Sequence, residues 1–433
     1  MLSRVKIEGY KSLRNIEISL EPLSVFFGPN AAGKSNFLDA LQLLSRTANS
    51  KELKDAFDSP YRGAPLESFS FGSKGIKSIL EKETATFCIE VDVELSSTVK
   101  ESVEHQVREM RRGKSTNSEG TKKNSKTSFV REDYLRYRLE IEILPNSGIL
   151  RVKDEYLAAL KKDGQLKQSR KPFLERVNDK LHLRMEGQSH PTYYESYLNH
   201  TILSMPVYPP HYPHLVAMRQ ELSSWFFFYF EPRERMRAPN PVKEVRHIGL
   251  MGEELAAFLN TLKVLDPRQF RGVEKSLCKI IPSITGIDVG VDDLGEVEFQ
   301  IREGNTPIPA RVLSEGTLRI LGLLALRGVR ETPGLLGFEE PENGIHPKRV
   351  RLIAELLNTY TNDKDTQIIA TTHSPILPDL IPENSLYVCR KKDGSTTITS
   401  FSTFGPLMKQ SDIDQGLDEL SKSELILRGD LDV

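Results

Sequence analysis

The chain has 433 residues, with 59 Lys plus Arg balanced against 60 Asp plus Glu for a formal charge of −1. That length fills two or three units of ordinary domain size, and the even balance excludes a global basic field for nucleic acid, so any such contact needs a local patch. No apolar run approaches the roughly 18–20 residues of a membrane-spanning helix, and Met1-Leu-Ser-Arg-Val-Lys-Ile7 reads as strand and not as a secretory signal, which makes the cytoplasm the expected compartment with no membrane partner. Cys88, Cys278 and Cys389 are odd in number, far apart and set in apolar segments, as befits reduced core thiols and not a disulfide framework or metal cluster.

Alternation at Val5-Lys-Ile7, Ile16 to Leu20 and Val25 to Phe27 predicts an antiparallel-style sheet, which leads into Gly28-Pro-Asn-Ala-Ala-Gly-Lys-Ser35. This stretch fits G-x-x-x-x-G-K-[ST] between a strand-type run, Leu23 to Phe27, and a helix-type run, Asn36 to Leu44. Gly28, Pro29, Asn30, Ala31, Ala32 and Gly33 would turn backbone N–H groups onto phosphate oxygens, with the positive end of the following helix behind them. Lys34 would meet the β- and γ-phosphates, Ser35 would hold Mg²⁺, and Asn36 starts the helix, so ATP or GTP is the expected ligand.

A further strand is predicted from Thr84 to Leu95. From about Ser96 the pattern breaks, and Val107 to Arg131 reads as a mobile, locally basic loop in which Arg108, Arg111, Arg112, Lys114, Lys122, Lys123 and Lys126 form a candidate DNA contact, diluted by Glu101, Glu104 and Glu109. Strand alternation returns at Tyr134 to Leu144 and Leu181 to Met185. The Pro-rich run Tyr208 to His214 reads as a loop whose two histidines make a poor zinc site, and Trp225 to Phe230 as a buried strand. Gly252 to Leu262 and Pro267 to Ile280 are predicted helices, and Ile287 to Val291 and Val297 to Ile301 strands. Neither repeats nor sustained heptads occur.

Leu313-Ser-Glu-Gly-Thr-Leu-Arg319 opens a helix-type run ending near Arg327, before Gly328. Ser314 is placed to cap it and Gly316 to allow close approach, so the segment offers a hydroxyl, bare N–H groups and a helix dipole to an anion, although capping alone would also explain the serine. The apolar strand Gly334 to Phe338 then runs into Glu339-Glu340-Pro341-Glu342-Asn343. Two adjacent carboxylates there need a cation or proton, and Mg²⁺ on Glu339 with Glu340 positioning or deprotonating the attacking water is the usual phosphate-loop solution. Another apolar strand, Gln367 to Thr372, ends in His373-Ser374-Pro375.

Taken in order, G-x-x-x-x-G-K-S, L-S-E-G-T, E-E-P-E-N-G-I-H-P and T-T-H-S-P resemble the ATP-binding-cassette (ABC) ATPases, in particular the SMC/RecF-like branch that includes the ATPase domains of OLD-type proteins. The resemblance spans about 1–95 and 246–395. It implies an α/β ABC-type P-loop ATPase head, a mixed sheet with an antiparallel β-subdomain and a helical subdomain, carrying an α+β insertion. The expected division is 1–95 and 246–433 for the two halves of the ATPase domain and 96–245 for the insertion. The resemblance also implies a head-to-tail homodimer or higher oligomer in which Ser314 and Gly316 reach ATP bound by the other subunit. In it Glu339 matches the Mg²⁺-associated carboxylate, Glu340 the catalytic glutamate and His373 the switch histidine that senses the γ-phosphate.

Departures are Glu339 where aspartate is commonest, Glu315 in the signature, His346 after Ile345, and no glutamine between Gln42 and Gln106 to serve as the glutamine-loop ligand. OLD-type proteins carry a Toprim nuclease domain after the histidine motif. Only about sixty residues follow Pro375 here, too few for that fold, so Asp430 and Asp432 are not expected to form a nuclease centre. The resulting expectation is an ATP-hydrolysing, ATP-gated sensor or regulator in defence against foreign DNA or genome maintenance, with a separately encoded effector. The alternative is an ATP-locked oligomeric scaffold with negligible turnover that holds and releases a partner protein.

Overall fold

The structure is a computed structural model and describes residues 1–72, 75–112, 128–187, 190–326, 333–361, 366–403 and 421–422. In chain order its elements begin β1 (Leu2–Tyr10), β2 (Leu13–Ser19), β3 (Leu23–Phe27), α1 (Lys34–Thr47), α2 (Lys77–Leu80), β4 (Ala85–Glu94) and α3 (Ser97–Arg112). There follow β5 (Tyr134–Leu144), β6 (Ile149–Ala159), β7 (Leu174–Val177), β8 (Lys180–Arg184), β9 (Pro191–Glu195), α4 (Pro213–Ser223), β10 (Trp225–Phe228) and β11 (Asn240–Pro241). The rest are α5 (Leu255–Leu265), α6 (Pro267–Ile280), β12 (Ile284–Val291), β13 (Glu296–Glu303), β14 (Thr306–Pro309), α7 (Glu315–Leu326), β15 (Leu335–Glu339), α8 (Pro347–Thr361), β16 (Gln367–Thr372), β17 (Leu386–Lys392) and β18 (Ser395–Ser400).

Two compact units result. One comprises Met1–Pro22, Ala31–Trp225 and Cys389–Thr399, the other Leu23–Asn30, Phe226–Val388 and the chain from Ser400. The first unit is organised by an antiparallel sheet in the order β2-β1-β4-β5-β6-β7-β8-β9. Strand β5 shows why it forms: Leu135, Tyr137, Leu139, Ile141 and Ile143 are buried on one face, while Arg136, Arg138, Glu140 and Glu142 alternate on the other, the period of two that an amphipathic strand requires. The charged face is paired across strands, with Arg136 to Asp92 at 2.6 Å, Arg138 to Asp154 at 2.7 Å and Arg151 to Glu142 at 2.6 Å.

The second unit contains the parallel strands. In the order β10-β15-β16-β3-β17, β15 to β16, β16 to β3 and β3 to β17 are parallel. Both faces of these strands are covered, so β3 and β16 are buried along their whole length, and their runs read as continuously apolar and not alternating. The core beneath them is made by α5, α6, α7 and α8 with Phe228, Phe230 and Phe338. A smaller antiparallel sheet orders β11-β13-β12, with β14 on β13.

Most predicted elements stand. One exception is the segment read as a loop from Val107, where α3 runs on to Arg112. Its Val99, Val103 and Val107 are buried at a four-residue spacing, a helical stripe that the surrounding charge obscures. Glu104 accepts the backbone N–H groups of Phe129 and of Val130, the latter at 3.1 Å, which fixes the far side of the segment. Lys114, Lys122, Lys123 and Lys126 lie outside the described residues, as do Arg327, Gly328, Asp430 and Asp432.

Candidate functional site

Strand β3 delivers the chain into the glycine-rich turn. Gly28, Ala31 and Gly33 all have positive φ, at 147°, 63° and 98°, so a left-handed backbone is built into the turn at points where glycine is cheap and alanine is not. Helix α1 starts from Gly33 with no side chain capping it, which leaves its N-terminal end directed at whatever enters the turn. Lys34 is buried, Ser35 and Asn36 are half-buried, and Pro29, Asn30 and Ala31 are exposed.

Behind the turn sits a hydroxyl network. Thr396 Oγ1 donates to the Ala32 carbonyl at 2.8 Å, Ser12 Oγ and Thr396 Oγ1 lie 2.6 Å apart, and Asn36 Nδ2 donates to Ser12 Oγ at 2.8 Å. A Cβ on Gly33 would stand 2.1 Å from Thr396 Oγ1, so that position excludes any side chain. Asp39, one helical turn on, is held by Lys11 at 2.7 Å and Arg62 at 2.9 Å.

The carboxylates come together at the C-terminal edge of the parallel strands. Register pairs Glu339 with Thr371 and Thr372 with Phe27, so Glu339, His373 and Gly28 leave neighbouring strands at one level, the place where open α/β sheets gather ligand contacts. Glu340 has φ of 48°, a left-handed conformation that a non-glycine residue holds only under constraint. Its N–H donates to the Thr371 carbonyl at 2.9 Å, and its Oε1 lies 2.7 Å from His373 Nδ1. Next to them Glu342 is buried, one oxygen accepting from the Thr372 hydroxyl, and burial pushes its carboxyl above the usual range.

The third group is the start of α7. Ser314 Oγ accepts the Thr317 N–H at 3.1 Å, the cap that its position foretells. Ser314 is exposed and Gly316 buried, and a Cβ on Gly316 would come within 2.6 Å of the Gly344 carbonyl oxygen. The close approach that glycine permits here is to the E-E-P-E-N-G loop of the same chain. The 231–237 segment supports the same turn: Arg233 pairs with Glu315 at 2.7 Å, and Arg237 donates to the carbonyls of Leu313 at 2.7 Å and Arg311 at 3.1 Å. Arg319, about one turn beyond Glu315 on α7, has its guanidinium pKa lowered by burial, against which Glu315, Glu340 and Glu342 act.

Sequence reasoning missed Ser12, Thr396, Arg237 and Glu342. The first three act through backbone or hydroxyl contacts distant in sequence, which no local pattern announces. Glu342 was legible within its motif as a third acid beside Glu339 and Glu340. His214, read as loop, lies in α4, wholly buried, its Nε2 accepting the N–H of Glu132 at 3.0 Å and its Nδ1 2.8 Å from Glu186. It is a satisfied structural histidine, and no cluster of three or more metal-ligating side chains occurs among the described residues.

Comparison with known proteins bears on the family and the fold. The protein-family model described as "AAA domain, putative AbiEii toxin, Type IV TA system" matches residues 23–379. A curated relative, the OLD nuclease of Thermus scotoductus, is 25% identical over 184 residues, covering 38% of this chain and 34% of the relative, so the match spans about a third of that protein's length. The solved SMC head bound to the C-terminal winged-helix domain of ScpA superposes with a TM-score of 0.53 at 12% identity, over 92% of this chain and 97% of that one. The Pyrococcus furiosus Smc head with an extended coiled coil gives 0.48 at 11% identity, over 94% and 98%. The fold is that of an ABC-type P-loop ATPase head. No helix among the described residues is long and apolar enough to cross a membrane. The chain belongs to the family described as "AAA domain, putative AbiEii toxin, Type IV TA system".

Proposed function

We propose that the protein binds ATP with Mg²⁺ in the Gly28–Ser35 turn and hydrolyses it in a head-to-tail homodimer, and that this cycle gates a response to foreign DNA or DNA damage through a separately encoded effector. The observation that carries the reading is the gathering of Gly28, Glu339, Glu340 and His373 at one edge of parallel strands. The donor set fits the metal: the Ser35 hydroxyl and the Glu339 carboxylate are hard oxygen ligands of the kind Mg²⁺ prefers, and the ion would supply charge neutralisation on the phosphates.

The residues divide the remaining work. Backbone N–H groups of the turn and Lys34 bind and orient the triphosphate. Glu340, held by its contact with His373, takes the proton of the attacking water, and His373 at the exposed end of β16 reads the γ-phosphate. Ser314 and the N-terminal turn of α7 meet the nucleotide of the second copy. Residues 96–245 act as the accessory insertion between the halves 1–95 and 246–433, with Arg108 and Arg111 as the described part of a candidate DNA contact. The family description and the OLD nuclease relative support the assignment to defence. Sizing with and without ATP, together with phosphate release by the parent and by Glu340→Gln, tests the reading; a parent that neither changes size with ATP nor hydrolyses it would overturn it.

A further inference from the structure

Two links tie the turn after β15 to the turn after β16. The outer is the Glu340–His373 contact at 2.7 Å. The inner starts at Glu342, which is 6% exposed. Its Oε1 accepts the Thr372 hydroxyl hydrogen, and the same hydroxyl oxygen accepts the Ser374 N–H at 2.9 Å. A hydroxyl has one hydrogen to give, so the direction of this chain is fixed: Ser374 donates to Thr372, and Thr372 donates to Glu342. The two residues bracketing His373 are thereby immobilised by a carboxylate.

The other oxygen of Glu342 is buried with no hydrogen-bond partner among the described residues. A buried polar atom left so costs about 1–3 kcal/mol, more if charged, and native structures keep few of them. Packing alone would be served as well by an apolar side chain. The acid also stands beside a backbone already constrained, since Glu340 is left-handed, and such strain persists where surrounding contacts over-determine it.

We propose that Glu342 is a positioning residue of the catalytic turn, which acts through the Thr372 hydroxyl to fix the backbone at Ser374 and so holds the His373 imidazole against Glu340. Its catalytic consequence rests on the ATPase reading above; its geometric consequence does not.

The test follows the His373 ring directly. In the full chain with ¹⁵N-labelled histidine, the His373 ring signals are assigned by their loss in His373→Gln. Glu342→Ala and Thr372→Val should each shift these signals as the Nδ1 contact to Glu340 loosens, and the double variant should shift them no further than one single change, because both act through one link. Thr372→Ser, which keeps the hydroxyl, and Glu342→Gln, which keeps an acceptor oxygen, should restore the parental signals. In turnover, Glu342→Ala and Thr372→Val should lower kcat about tenfold with KM within about twofold. If Glu342→Ala does not fold, Thr372→Val against Thr372→Ser carries the same comparison. Parental His373 signals in Thr372→Val, or failure of Thr372→Ser to restore them, would overturn the proposal. Should ATP hydrolysis itself prove absent, the ring signals still decide the geometric claim.

Discussion

Two buried carboxylates, one in each unit, have opposite surroundings. Glu155 on β6 is wholly buried and receives three donors: the Ile202 N–H at 2.6 Å, the Leu203 N–H at 2.9 Å and the Tyr137 hydroxyl at 2.9 Å. Glu342 after β15 receives one hydroxyl on one oxygen, and its second oxygen has no partner among the described residues. Burial pushes both carboxyl groups up, Glu155 to about 7. The difference is in the donors. At Glu155 the chain supplies donors to each oxygen and so fastens the turn at Ile202–Leu203 to the antiparallel sheet. Where acids gather at the strand edge, that supply is thin. On the charged face of the first sheet Asp92, Asp154 and Glu142 meet arginines at 2.6–2.7 Å, whereas Glu340 faces the His373 imidazole.

The contrast breaks first at Glu340. If this turn is where water is activated, Glu340→Gln should slow ATP hydrolysis on the order of a hundredfold or more while ATP stays bound, because the amide cannot take the proton; a parental rate in phosphate release would remove Glu340 from the chemistry. A change of the same kind on the paired sheet, Arg138→Met, removes a partly exposed ion pair from Asp154 and should leave hydrolysis within about twofold and stability within about 1 kcal/mol. Next in size is Lys34→Ala, which should weaken ATP binding roughly tenfold or more, ~1.4 kcal/mol, by calorimetry. Unchanged affinity would sink the phosphate-loop assignment. Ser314→Arg should spare monomeric ATP binding yet abolish ATP-dependent dimer closure, and mixing it with Lys34→Ala should recover at most one working site per dimer. If turnover and sizing match the parent, Ser314 is a helix cap and nothing more.

How much of this was readable in the sequence depends on the range of the interactions involved. Strand β5 and helix α6 coincide with their predicted spans because period-two burial and the Asp266 cap with Pro267 are local signals. The phosphate turn was readable because its chemistry requires glycines at fixed spacing, and Gly28 and Gly33 take the positive φ that this requires. Strand β6 went unread: its Lys153-Asp154-Glu155 breaks the apolar alternation, since Glu155 points inward and pairs with Tyr137 on the neighbouring strand. Helix α3 hid in its charges. Gly316 was assigned a ligand's approach, whereas its lack of a side chain is already explained by the Gly344 carbonyl, a contact across nearly thirty residues that spacing cannot reveal. The roles of Ser12 and Thr396 behind the phosphate turn lie still further apart in the chain.

The smallest expected effect concerns Glu155 and decides whether donors or burial govern such a group. With a native pKa raised to about 7 against roughly 4.3 in the unfolded chain, the folded state holds this proton more tightly. Unfolding then releases a proton between those values, so the stability contributed by Glu155 is full below about pH 4 and is lost as pH rises through about 7. Other groups titrate as well, which a Glu155→Gln reference removes because its amide is neutral throughout. Measured by urea unfolding, the stability of the parent relative to Glu155→Gln should fall by about 1 kcal/mol from pH 6 to pH 8. A parent whose stability relative to the variant stays flat over that range would show the carboxylate already ionised in the folded state, with the N–H groups of Ile202 and Leu203 and the Tyr137 hydroxyl outweighing burial. The donor count would then be the stronger influence, and Glu342, with one donor, would be the acid of the two that keeps its proton.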